Sequence, residues 1–147
     1  NRENKINLII VSIIITLDQI SKYIIFNFDY FINKNIFIFS INYVRNYGAA
    51  FNIFEGNRVF LSSISIISSL ILIYFVFYKG RLNLFDRYGL SLILAGSLGN
   101  GIDRIIKGYV IDFINLKLFD FPIFNIADIA INIGCIILIF NHFKFKN

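Results

Sequence analysis

Four stretches of this chain stay apolar for close to the length that crosses a lipid bilayer, and a soluble fold has no use for so many. A helix rises about 1.5 Å per residue, so about 20 residues traverse a hydrocarbon core of about 30 Å. The runs cover residues 6–26, 59–78, 88–106 and 121–140. Hydrophobic residues make up 57% of the chain and charged residues only 16%, against about 25% charged in a soluble domain. With 147 residues there is room for one integral membrane domain, 1–147. The expected fold class is mainly α, with four transmembrane helices.

The ends and linkers refine that expectation. Gly56-Asn57 precede the second run as a cap, Gly80 follows it as a stop, and Pro122 falls in the first turn predicted for the fourth. The first run carries Asp18 and Lys22 and lacks a small-residue cleavage site, so it reads as a retained span rather than a signal peptide. The chain opens on Asn1 without Met, and a start downstream of the initiator is expected. Between the first two runs, "NIFIFSINYV" is β-rich and too short to span as a helix, and the turn-prone "RNYGAAF" follows it. A small sheet over about residues 30–55, resting at the membrane surface, is the expectation. Basic residues near the run ends number seven on each side, so charge bias barely orients the chain. Both termini are placed in the cytoplasm, because the inner-side bases cluster tightly at run ends. The net charge of +5 is scattered rather than gathered into a patch, which argues against nucleic acid. A single cysteine, Cys135, forms no internal disulfide.

With the N-terminus inside, the polar residues of three runs converge near the outer surface. Asp18 and Lys22 are four apart on the first run. Asn100, Asp103 and Arg104 share a face of the third, and Asn125, Asp128 and Asn132 share a face of the fourth. Asp128 is seven residues into the fourth run, about 10 Å below its end. Asp112 lies in the linker before it. Ionisable groups at such depth are costly and normally face the bundle interior or a wet cavity. The one histidine, His142, lies at the opposite end of the fourth run, which removes Ser–His chemistry despite the "GSLG" at 96–99, and HExxH is absent. Paired carboxylates remain: two that share a proton act one as acid and one as base, without metal or cofactor. The residues alone leave open whether Asp103 or Asp112 partners Asp128. A proton-coupled transporter is the main alternative, but no inverted repeat is visible and the inner halves of the second and fourth runs are apolar. A helix-assembly partner with no catalytic role is a third reading.

Five ordered blocks, "DQISK" (18–22), "RNYGAAF" (45–51), "GSLGNGIDR" (96–104), "GYVIDF" (108–113) and "FNIAD" (124–128), resemble the lipoprotein signal peptidase (signal peptidase II) family over about residues 18–134. The resemblance implies a bacterial inner-membrane aspartic protease with four helices and an outer-surface β-cradle. Such an enzyme removes the signal peptide of prolipoproteins just before a cysteine that carries diacylglycerol. It implies Asp112 and Asp128 as the catalytic pair, with no cofactor or metal. Its expected partners are the lipid-modified precursor and membrane lipids, and the chain is expected to be a monomer. For the supporting residues a functional and a structural reading stand side by side. Asn100 and Asn125 orient the acids or glue helices. Arg104 holds substrate backbone or Asp103, or anchors at headgroups. Asn46, Gly48 and Ala49 shape the pocket floor or form an ordinary turn. Asp18 and Lys22 are expected to form a structural pair.

Overall fold

The computed structural model describes residues 2–48, 54, 56–79, 82–118 and 121–144. Four long helices run through it: α1 (Arg2–Asn27), α2 (Arg58–Ile73), α3 (Leu84–Ile106) and α4 (Ile126–Lys144). Among the described residues three are long and apolar enough to cross a membrane: Arg2–Asn27, Ile126–Phe143, and α2 with the turn that extends it to Tyr78. The remaining helix, α3, carries Asp86, Arg87, Asp103 and Arg104 toward its two ends. It is central to the packing, touching α1, α2 and α4.

Local chemistry explains the helix ends. Asn57 caps α2, its side chain accepting from the Phe60 amide, and Asn83 caps α3 by accepting from the Asp86 amide. Gly80, the expected stop after the second run, lies outside the described residues. After Ile73 the second helix loosens into a π turn, Tyr74–Tyr78. Polar side chains of α1 meet the carbonyls there: Asn7 donates to Val76 O and Asn4 to Phe77 O, both at 3.3 Å. Val76 itself is fully buried against Val11, Leu94 and Ala95 in the apolar core.

Helices α3 and α4 approach closely because small residues face each other. A methyl group at Gly96 would collide with the Ala127 carbonyl and the Ile131 side chain, the kind of contact that holds helices together where both solvent and interior are apolar. Gly96→Ala is therefore expected to lower stability by about 1–3 kcal/mol through overpacking, read as a fall in the melting temperature of the purified protein in detergent.

The sheet departs from the expectation in its third strand. Strands β1 (Asn35–Ile36) and β2 (Phe39–Asn46) come from the linker after α1, as the β-rich residues predict. Strand β3 (Val110–Leu116) comes from the linker between α3 and α4, which the sequence presents only as a short connection of mixed composition. The order is β1-β2-β3, antiparallel throughout, with Val44 opposite Asp112, Asn46 opposite Val110 and an irregularity between Ile41 and Val44. The sheet is thus not built between the first two helices alone. Ile111 and Phe113 bury against Ile25 near the end of α1, which ties the sheet to the bundle.

The fourth helix also begins later than expected. Pro122 is not in its first turn; residues 121–125 precede the helix, with a bridge from Phe124 to Ile114. The physical reason is a reciprocal cap. Asn125 Oδ1 accepts from the Asp128 amide at 3.0 Å, while Asp128 Oδ2 accepts from the Asn125 amide at 3.1 Å. An Asn-x-x-Asp pair of this kind satisfies two of the donors that every helix N-terminus leaves free. Asp128 therefore sits in the first turn of α4, not seven residues down a helix.

Candidate active site

The ends of α1, α3 and α4 and the β2–β3 ladder surround one polar centre. At its base lies Lys22, fully buried. Its ammonium reaches Asp18 Oδ2 at 2.8 Å, Asp103 Oδ2 at 2.9 Å and Asn100 Oδ1 at 3.1 Å, so its three protons each have an acceptor. The expected Asp18–Lys22 pair is present, and Asp103 joins it. Asp103 does not pair with its neighbour Arg104, as the sequence suggested; its second oxygen takes Lys107, one turn on, at 2.9 Å. Asp18 and Asp103 are both fully buried. Charges so placed persist only when paired and hydrogen-bonded throughout. Asp18 Oδ1 accepts from the Ala127 amide at 3.0 Å, pinning the start of α4 to α1 and complementing its dipole. Space for that carboxylate comes from Gly99, where a methyl group would stand 2.7 Å from Asp18 Oδ2.

Above this base two amides connect the remaining acids. Asn100 Oδ1 is committed to Lys22, so its Nδ2 points the other way and donates to Asp128 Oδ1 at 2.8 Å. Asn125 Oδ1 is committed to the helix cap, so its Nδ2 faces Asp112 Oδ1 at 2.7 Å and Asn100 Oδ1 at 3.1 Å. Asp112 Oδ2 accepts from Asn46 Nδ2 at 2.8 Å. Asn46 is fixed in turn, because its Oδ1 accepts from the Gly48 amide at 2.9 Å. Each amide thus has one end tied to structure and the other turned to a carboxylate. Ala49, the third expected floor residue, lies outside the described residues.

Asp112 and Asp128 both line a cavity of about 740 Å³, together with Asn46, Asn100, Arg104 and Asn132. Its apolar wall comes from Val44, Val110, Ile131 and residues 121–124, which the sequence reading did not single out. Arg104 reaches Ser65 Oγ and the Gly48 carbonyl, both at 3.3 Å, and its buried Nε has no hydrogen-bond partner among the described residues. Burial, above all, and the neighbouring Asp128 charge push the Asp112 carboxyl up to about 6, against the opposing pull of the Asn46 and Asn125 hydrogen bonds. Cys135, part-buried in α4, makes no disulfide. Among the described residues no group of three or more His, Cys, Asp or Glu is placed to hold a metal ion.

Of the sequence-predicted residues, Asn46, Asn100, Arg104, Asp112, Asn125 and Asp128 thus meet at or beside the cavity. Asp18, Lys22 and Asp103 form the buried base beneath it. Lys107 was missed as a member of that base, although its spacing of four from Asp103 was a signal. Ser65 carried no sequence signal.

The family model for signal peptidase II matches residues 10–144. The lipoprotein signal peptidase of Gloeothece citriformis is 42% identical over 135 residues, covering 89% of this chain and 84% of that protein. That of Staphylococcus aureus is 39% identical, covering 90% and 85%. Among solved structures, a bacterial membrane enzyme determined by the in meso method at 2.3 Å superposes with a TM-score of 0.88 at 38% identity, covering 97% of this chain and 90% of that one. A second, at 1.9 Å, gives 0.84 at 38% identity, covering 95% and 94%. The class that emerges is an aspartic endopeptidase on an apolar helical scaffold fit for a membrane. The chain belongs to the signal peptidase II family.

Proposed function

We propose that this chain is an intramembrane endopeptidase that removes signal peptides from diacylglyceryl-modified prolipoproteins, with Asp112 and Asp128 as the water-activating pair. The observation that carries the proposal is that both carboxylates open on one cavity and are bound by the same linked amides, Asn100 and Asn125. In the reaction, the ionised carboxylate takes a proton from a water held between the pair as the water oxygen attacks the scissile carbonyl carbon. The protonated carboxyl donates to the carbonyl oxygen. When the tetrahedral carbon collapses, the C–N bond breaks and the leaving amine takes up a proton from the dyad, so protons balance over the cycle. Arg104, whose side chain lines the cavity, binds a substrate backbone carbonyl. The apolar wall at 121–124 receives the hydrophobic end of the signal peptide.

In this reading α3 is a fourth span, its charges lying toward the two membrane surfaces. The sheet lies at the outer face of the bacterial inner membrane, and both termini are cytoplasmic. The enzyme works as a monomer. The test is incubation of the purified protein with a diacylglyceryl-modified precursor and with its unmodified form. A cleaved product beginning at the lipidated cysteine, from the modified precursor only, is expected; an intact modified precursor in active lipid conditions would overturn the reading.

The pH profile supplies a further prediction. The Asp112 carboxyl lies above its ordinary value, so the folded protein holds that proton more tightly than the unfolded chain does. The associated stability is present at low pH and lost as pH rises through about 6. In kinetics the same group gives the dyad an inflection near 6, an apparent value that belongs to the coupled pair. Asn46→Ala removes a hydrogen bond that favours the ionised form, so that inflection should move to higher pH. A pH series of kcat/KM for the two proteins measures the shift.

A further inference from the structure

The turn joining β1 to β2 is Phe37-Ile38, where a tight hairpin ordinarily takes Asn, Asp or Gly. Phe37 adopts a φ of 51°, in the left-handed region that bulky side chains avoid, and it is 97% exposed. Ile36, Ile38 and Phe39 beside it are exposed as well. A strained backbone that holds an aromatic ring away from the protein is a reason to look for what receives the ring. The flanking charges indicate the recipient. Lys34 and Lys117 are both exposed on either side of the tip; the Lys34 ammonium lies 4.5 Å over the Tyr30 ring, and the Lys117 amide bonds the Ile38 carbonyl at 2.9 Å. Apolar and aromatic side chains bordered by lysines match a phospholipid surface, with rings among the upper acyl chains and ammonium groups at the phosphates.

We infer that the β1–β2 hairpin tip is a lipid-inserted wedge that anchors the sheet in the outer leaflet of the bilayer. The inference rests on the membrane-spanning reading above. Its consequence is mechanical. Phe39 pairs with Leu116 at the tip end of the same ladder that pairs Val44 with Asp112. On β3 those two partners stand about four residues or roughly 13 Å apart along the strand. Lipid anchorage at one end therefore steadies the strand that presents Asp112 at the other.

The chain contains no tryptophan, so Phe37→Trp creates a single reporter at a site too exposed for the exchange to open the core. Ile66→Trp, on the exposed face of α2, reports on the spanning helices. Both variants are reconstituted in phosphatidylcholine–phosphatidylglycerol vesicles, with and without lipids brominated on their acyl chains. Blue-shifted emission from the Phe37→Trp variant that loses most of its intensity in brominated lipid is the expected result. Water-exposed emission from that variant, with the Ile66→Trp variant quenched, would overturn the wedge and leave the spanning reading intact. Blue-shifted emission from the hairpin reporter without bromine quenching would mean that another protein surface covers the tip, and would also overturn it. If neither reporter is quenched, the spanning reading fails and the wedge with it.

Discussion

Asp112→Asn and Asp128→Asn should each reduce cleavage of a diacylglyceryl-modified precursor by more than about a thousandfold, within the range expected when a general acid or base is removed, and the protein should still fold. Asparagine keeps the size and one acceptor oxygen of aspartate but can neither take nor share the proton. Asp112 accepts from two side-chain amides, Asn125 and Asn46, while the strand around it is held by main-chain pairing to β2. The exchange therefore disturbs one hydrogen bond, a cost of about 1 kcal/mol, and leaves the ladder in place. At Asp128 the remaining oxygen can keep either the cap on the Asn125 amide or the bond from Asn100. A somewhat larger fall in melting temperature is expected there. Asp103→Asn is the informative contrast, since Asp103 faces Lys22 and Lys107 in the buried base. It should lower stability far more than it lowers the rate of a folded molecule. Normal processing by either the Asp112 or the Asp128 variant would remove the dyad from consideration.

Lys22→Met should cost about 3–5 kcal/mol, the range for breaking one partner out of a buried ionic group. Methionine fills similar volume, so the loss is electrostatic rather than a cavity. Two fully buried carboxylates, Asp18 and Asp103, would lose the cation between them. Asp103 retains Lys107, but among the described residues Asp18 retains only neutral donors, the Ala127 amide and Gln19. Adding Asp18→Asn should therefore recover part of the lost stability, and a double-mutant cycle by denaturant unfolding in detergent measures the coupling. Activity should fall as well, because Lys22 is what turns the Asn100 amide so that its Nδ2 faces Asp128. If Lys22→Met melts like the parent protein, the buried base does not hold the bundle together.

Much of this protein was legible without coordinates, for a reason that differs between its parts. A bilayer demands long apolar runs with internally bonded backbone. Such runs are local and continuous, so the helices could be read directly, as could the Asn57 cap and the i,i+4 pair Asp18–Lys22. Carboxylates as the leading candidates for chemistry were legible too, because a chain with one histidine at the wrong end leaves little else for hydrolysis. What the tertiary structure decided are relations between distant segments. Strand β3, VIDFINL, is rich in β-formers, but it sits in a short linker of otherwise mixed composition, and its pairing partner lies more than about sixty residues earlier, at Asn46 for Val110. That pairing is what brings Asp112 rather than Asp103 to the cavity with Asp128. Asp103 turned inward to Lys22, a partner on another helix that no spacing rule could reveal. The start of α4 moved because Asn125 and Asp128 cap each other, a pattern present in the sequence but outweighed by the apolar residues ahead of it. Length and hydropathy are properties of a segment and survive in the sequence alone. A site built from the side chains of several segments is a property of where those segments meet, and only the packed chain brings them together.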